Sequence, residues 1–156
     1  MSRSGLSYLE KTSEDVFGTS IDIPSALNRR TVEVFLAGAA IAAGDWVALD
    51  IGEAGSARVI QVVQASTAAN GNALVVGVAL EAAAAAGAKL TVCTRGYVEG
   101  ANVTAATAAG AALVVDATAG RADAIVAGDI APPCGVSLET AGGGNTADVY
   151  VYGLAV

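Results

Sequence analysis

The sequence predicts an all-β fold, a compact barrel preceded by an extended N-terminal arm, and three observations carry that prediction. From Thr31 onward, short runs of strand-type residues recur between turn signals at spacings of roughly ten residues. No long stretch shows the 3.6-residue apolar periodicity of an amphipathic helix. Short motifs also recur at near-constant offsets in two parts of the chain.

The elements follow in order. Residues 1–30 hold scattered charges, weak periodicity and Pro24, which together read as an extended arm. Its large apolar side chains, Leu6, Tyr8, Leu9, Phe17, Ile21 and Ile23, need a surface to cover. Arg29 and Arg30 stand at the hinge into the first strand. These eight residues are the candidate partner-contact set. Thr31-Val-Glu-Val-Phe-Leu36 alternates apolar and polar residues at its start and reads as the first strand. Trp46–Leu49, Arg58–Gln64, Leu74–Leu80, Lys89–Thr94 and Asp148–Tyr152 complete the clearest set. Asn70-Gly71 is a two-residue turn signal, because both residue types tolerate positive φ.

The repeat is carried by three motif pairs, one of them Val92–Gly96 answered by Val149–Gly153, 57 residues later. Gly77-Val-Ala-Leu-Glu81 answers Gly135-Val-Ser-Leu-Glu139, 58 residues later. Gly44-x-x-Val47-x-x-Asp50 answers Gly110-x-x-Leu113-x-x-Asp116, 66 residues later. The copies cover approximately 42–98 and 108–156, so the barrel domain spans 31–156 as two related β-units sharing one closed core. The repeat also decides the stretch Glu81-Ala-Ala-Ala-Ala-Ala86. Alanine favours helix, but the matching stretch of the second copy is Gly-rich and cannot hold one. Both read as inter-strand connections, the first with room for a single helical turn.

Composition narrows the function. Of 156 residues, 54% are hydrophobic but only 4% aromatic, and 19 are Gly. Small side chains bury little area each, so part of the stability is expected to come from a partner subunit. The formal charge of -7 argues against nucleic acid and anionic membrane as partners. There is no His, which removes Ser-His-Asp and Cys-His catalysis and His-ligated zinc. No segment reads as a membrane span or secretion signal, and Cys93 and Cys134 read as reduced, pointing to synthesis in a cytoplasm.

Other features have ordinary readings. Gly142-Gly-Gly-Asn145 lacks the following helix and Lys of a phosphate loop and reads as a hairpin loop. Asp45, Asp50, Asp116, Asp123 and Asp129 lack the close alternating spacing of a calcium loop and read as turn formers. Trp46 reads as a core anchor of the barrel and Cys93 as a small buried hydrophobe. The residues therefore suggest no catalytic group, cofactor or metal ligand.

Three segments carry a resemblance: Ala42-Ala-Gly-Asp-Trp-Val-Ala-Leu-Asp50, Val75-Val-Gly-Val-Ala-Leu-Glu81 and Thr91-Val-Cys-Thr-Arg-Gly-Tyr-Val98. In sequence they resemble the small head decoration, or capsid cement, proteins of tailed bacteriophages. The motifs lie in residues 31–100, the second copy is matched more weakly, and no motif covers the arm. The resemblance implies a β-barrel or β-tulip-like virion structural protein that is not an enzyme and needs no cofactor. It implies a homotrimer on the outer capsid surface, with the major capsid protein as partner, made in the cytoplasm of a bacterial host. The alternatives are another virion β-module, such as a tail or fibre component, a carbohydrate-binding β-domain, or a β-barrel enzyme using carboxylates alone.

Overall fold

The runs rich in Val, Thr and other strand formers do become strands. In a computed structural model of the chain, the described residues are 30–66, 74–127, 129 and 132–153, with the backbone of 13–14 and 20–21. Two short strands, β1 (Ser13–Glu14) and β2 (Ser20–Ile21), pair antiparallel with each other. The domain then contains β3 (Thr31–Ala37), β4 (Trp46–Leu49), β5 (Gln61–Gln64), β6 (Val75–Ala79) and β7 (Lys89–Asn102). It continues with β8 (Ala112–Val115), β9 (Ala122–Ala124), β10 (Gly135–Ser137) and β11 (Thr146–Val151).

Two boundaries differ most from the sequence reading, while the ends of β3, β6 and β11 shift by one or two residues. The strand expected from Arg58 starts only at Gln61, because Gly55–Val59 winds into a short 3-10 helix. Gly55 turns there with φ +61°, and the Arg58 side chain donates back to the Glu53 carbonyl. The strand expected to stop at Thr94 runs on to Asn102. Glu81–Ala86 forms no helical turn: Ala83 and Ile41 exchange backbone hydrogen bonds at 2.9 Å each, and the connection is held extended there. The Asn70-Gly71 turn signal lies outside the described residues.

The sheet order is β3-β5-β4-β6-β7-β11-β10-β8-β9, with β3 also paired to β7. That extra pairing closes β3, β5, β4, β6 and β7 into a five-strand barrel. The rest of the sheet continues from β7 through β11, and a parallel bridge from Ala122 of β9 returns to Val103, just past β7. On either side of the β7–β11 pairing the order is a mirror image, β5-β4-β6-β7 against β11-β10-β8-β9. Individual bonds mirror as well. Gly44 N–H donates to Ala79 O, and Gly110 N–H to Ser137 O, both at 2.8 Å. The glutamates ending the two G-V-x-L-E motifs also share a role: Glu81 Oε1 accepts from Thr91 N–H and Glu139 Oε1 from Asp148 N–H, each at 3.0 Å. They clamp each connection onto the next strand.

Two apolar cores result, not the single closed core expected of the two units, because the β3–β7 pairing closes the barrel before the second half joins it. Phe35, Val47, Val62, Val76, Leu90 and Val92 fill the barrel. Trp46, Ala48, Val78 and Cys93 leave the opposite faces of the same barrel strands and pack with Leu113, Val115 and Val149 of the second half. β4 is therefore covered on both faces, which explains why Trp46-Val-Ala-Leu49 is continuously apolar and not alternating. Trp46 is fully buried and its Nε1–H donates to Asn102 O at 3.0 Å, satisfying the indole where no water reaches it.

Candidate interaction surface

Of the candidate contact set, Leu6, Tyr8, Leu9, Phe17, Ile23 and Arg29 lie outside the described residues, and Ile21 is placed only by its backbone pairing with Ser13. Arg30 is described. It is half-buried and borders a cavity of about 320 Å³ together with Gly44, Leu80, Tyr97 and Glu99.

The chain enters β3 directly from Arg30, and β3 is oriented against its own pattern. An amphipathic strand ordinarily turns its valines inward and its glutamate outward. Here Phe35 and Ala37 point into the barrel, so alternation sends Glu33 to the same side and Val32 and Val34 outward. Val34 is 64% exposed and Val32 39%. Glu33 instead lines the open mouth of the barrel, a cavity of about 390 Å³. Buried Phe35 and Val76 lie at its base, Leu49 and Thr94 line it, and exposed Val59, Arg95 and Tyr152 border it. The Thr94 hydroxyl lies 3.4 Å from Glu33 Oε1.

This strand was not among the candidate contact residues. Its alternation was legible, but its orientation was not, because β3 takes its facing from pairing with β7 and not from its own apolar residues.

The polar groups elsewhere have structural partners. Asp50 Oδ1 accepts from Gly52 N–H, and Asp116 Oδ1 from Ala117 N–H, as turn formers do. Asp45 departs from that reading. It is only 4% exposed, and its carboxylate accepts from Ala42 N–H at 2.8 Å, Gln64 Nε2 at 2.6 Å and Asn102 Nδ2 at 2.7 Å. It joins β5, β7 and the entry to β4, a long-range role that a turn former does not have. Gly142 N–H donates to Thr146 O and Asn145 N–H to Gly142 O, so the glycine cluster is a tight hairpin connection. Both cysteines are buried and free. Burial raises the Cys93 thiol above its ordinary pKa and pushes Cys134 up to about 12, which disfavours the reactive thiolate. Among the described residues, no group of three or more His, Cys, Asp or Glu is placed to share a metal ion.

On β7, the Tyr97 hydroxyl donates to Asp148 Oδ2 at 2.6 Å. That bond, then burial and the charges of Asp148, Glu99 and Glu139, push the phenol up to about 12. The folded state thus favours protonated Tyr97. Its contribution to stability is whole below the ordinary phenol pKa of about 10 and is lost as pH rises from there through the folded value. In an absorbance titration of tyrosinate, one of the four tyrosines is expected to ionise late. Asp148→Asn should bring that step down toward the ordinary value; an unchanged titration would contradict the assignment.

The described residues thus present an outward-facing pair of valines on β3 with a half-open barrel mouth beside them. Set against known proteins, the chain matches no family model and no curated sequence.

Proposed function

We propose that this chain is a virion structural protein that binds the outer capsid surface as a homotrimer and cements the major capsid protein lattice. It acts by binding and not by catalysis, uses no cofactor, and contacts neither nucleic acid nor membrane. It is made in the bacterial host cytoplasm and works on the outer face of the virion.

The observation that carries this reading is the outward apolar face of β3, preceded in sequence by a segment rich in large apolar residues. A stand-alone domain gains stability by turning Val32 and Val34 inward; leaving them exposed suits a surface that another protein covers. The resemblance to decoration proteins supports the same reading, since its three segments fall on β4, β6 and β7, the walls of the barrel. A core of small side chains also suits a protein stabilised by assembly.

The test is a binding titration onto undecorated capsids. The full chain should bind saturably and sediment as a trimer. Removing residues 2–20 should leave sedimentation unchanged while weakening attachment at least tenfold. Tyr8→Ser and Phe17→Ser should each weaken it by about 1–3 kcal/mol, the transfer cost of a buried ring. No saturable binding overturns the capsid role, and unchanged affinity after truncation removes the arm from it.

A further inference from the structure

We infer that the first half of β3 is a docking edge that accepts an extended segment of a partner protein as an added strand. The occupant presents a lysine or arginine toward the barrel mouth. This deepens the proposed function by naming the attachment chemistry of the domain itself, as distinct from the arm.

The backbone directions along β3 carry the argument. Ala37 N–H donates to Ala88 O, toward β7, whereas Leu36 N–H and Gly38 N–H donate to Ile60 O and Val62 O, toward β5. Backbone groups alternate sides along a strand. Val34 and Val32 therefore point their N–H and C=O groups to the β5 side, as Leu36 does. But β5 pairs with β3 only at Leu36↔Gln61 and Ala37↔Val62. Before Gln61 the chain curls away into the 3-10 helix Gly55–Val59. Among the described residues, no strand is paired with Val32 or Val34 on that side. The result is a short sheet edge, apolar on its outward face, at which the backbone donors and acceptors of Val32 and Val34 are open among the described residues.

What lies beside the edge selects the occupant. A strand laid along Val32 and Val34 alternates its own side chains, one set outward with those valines and one set inward. The inward set meets the 390 Å³ mouth, which offers the apolar surfaces of Phe35, Leu49 and Val76, the Glu33 carboxylate from β3 itself and, at its rim, Arg95 of β7. A long aliphatic stem ending in a cation matches the first two: the stem covers the apolar base and the head reaches Glu33. The net charge of -7 favours the same sign of partner. Main-chain bonds supply affinity and the mouth supplies side-chain choice, as in strand addition generally.

The probe is a capped heptapeptide of alternating valine and lysine. It is compared with the same peptide N-methylated at alternate residues, which removes its donors on one edge. Binding to the full-length protein is followed by NMR through the Val32 and Val34 amides and their hydrogen exchange. The expected result is shifted, slowed amides at these two positions and at least tenfold weaker binding of the methylated peptide. Val34→Pro, which deletes a donor on the open side only, should weaken binding at least tenfold with the melting temperature nearly unchanged. Glu33→Gln should weaken the valine–lysine peptide several-fold and leave a valine–leucine peptide unaffected. Equal binding of the methylated peptide, or shifts confined to other strands, overturns the inference. So does protection of both amides in the free full-length protein that is lost on deleting residues 1–29, which would make the arm the occupant. None of these outcomes depends on capsids, so capsid attachment and the docking edge can fail separately.

Discussion

Replacing Gly77 with alanine is expected to destabilise the domain by about 3 kcal/mol, the upper end for overpacking a tight site. Gly77 sits in β6, where a Cβ would collide with the Cys93 carbonyl oxygen of β7, lie 2.8 Å from the Cys93 carbonyl carbon and 3.1 Å from Thr94 Cα. All three obstacles are backbone, so no rotamer change relieves them, and β6 must move away from β7. That pairing is a wall of the closed barrel, and the second core packs on its outer face. At Gly135, the same place in the second motif, a Cβ would lie 2.7 Å from Tyr150 O and 3.0 Å from the Trp46 ring. Its replacement by alanine should be milder, about 1–2 kcal/mol, because the contacts are longer and one is a side chain. Urea denaturation checks both. Midpoints unchanged from the parent protein would show that β6 and β7 shift apart freely.

Asp45→Ala is expected to cost about 3–5 kcal/mol, since three donors lose their acceptor in a water-poor site and each orphaned group costs about 1–3 kcal/mol. The carboxylate collects Ala42 N–H, Gln64 and Asn102, and Gly120 packs against it so closely that a Cβ there would lie 2.7 Å from Asp45 Oδ1. Ionised aspartate is all acceptor and suits three donors. Asparagine replaces one acceptor oxygen with a donor that faces another donor, so Asp45→Asn should lose roughly half as much. Thermal unfolding of the two variants tests the order. An Asp45→Ala protein as stable as its parent would mean that water enters and replaces the carboxylate.

The motif that contains Asp45 shows how far a linear reading reaches. Gly44-Asp45 was legible as a turn before a strand, and β4 follows it at Trp46. That the aspartate faces inward to donors from β5 and β7 was not legible, because Gln64 and Asn102 are 19 and 57 residues away. Trp46 and Cys93 were readable as core because large or soft apolar groups in strand runs have few other places to go. That they belong to the outer core and not to the barrel interior depends on which face of β4 and β7 meets the second half.

By itself, the sequence determined what local chemistry controls: strands instead of helices after Thr31, turns at Gly and Asp, and inert buried cysteines. It also marked the G-V-x-L-E glutamates, whose clamping bonds to the next strand repeat in both halves. Only the tertiary structure decided closure and facing. β3 pairs with β7 to shut the barrel, and that pairing turns Glu33 into the mouth and leaves Val32 and Val34 in solvent. Alternation along a strand fixes which residues share a face, but which face is inside is set by long-range pairing. In β3 that pairing joins residues about 60 positions apart and outweighs the preference of two valines for burial.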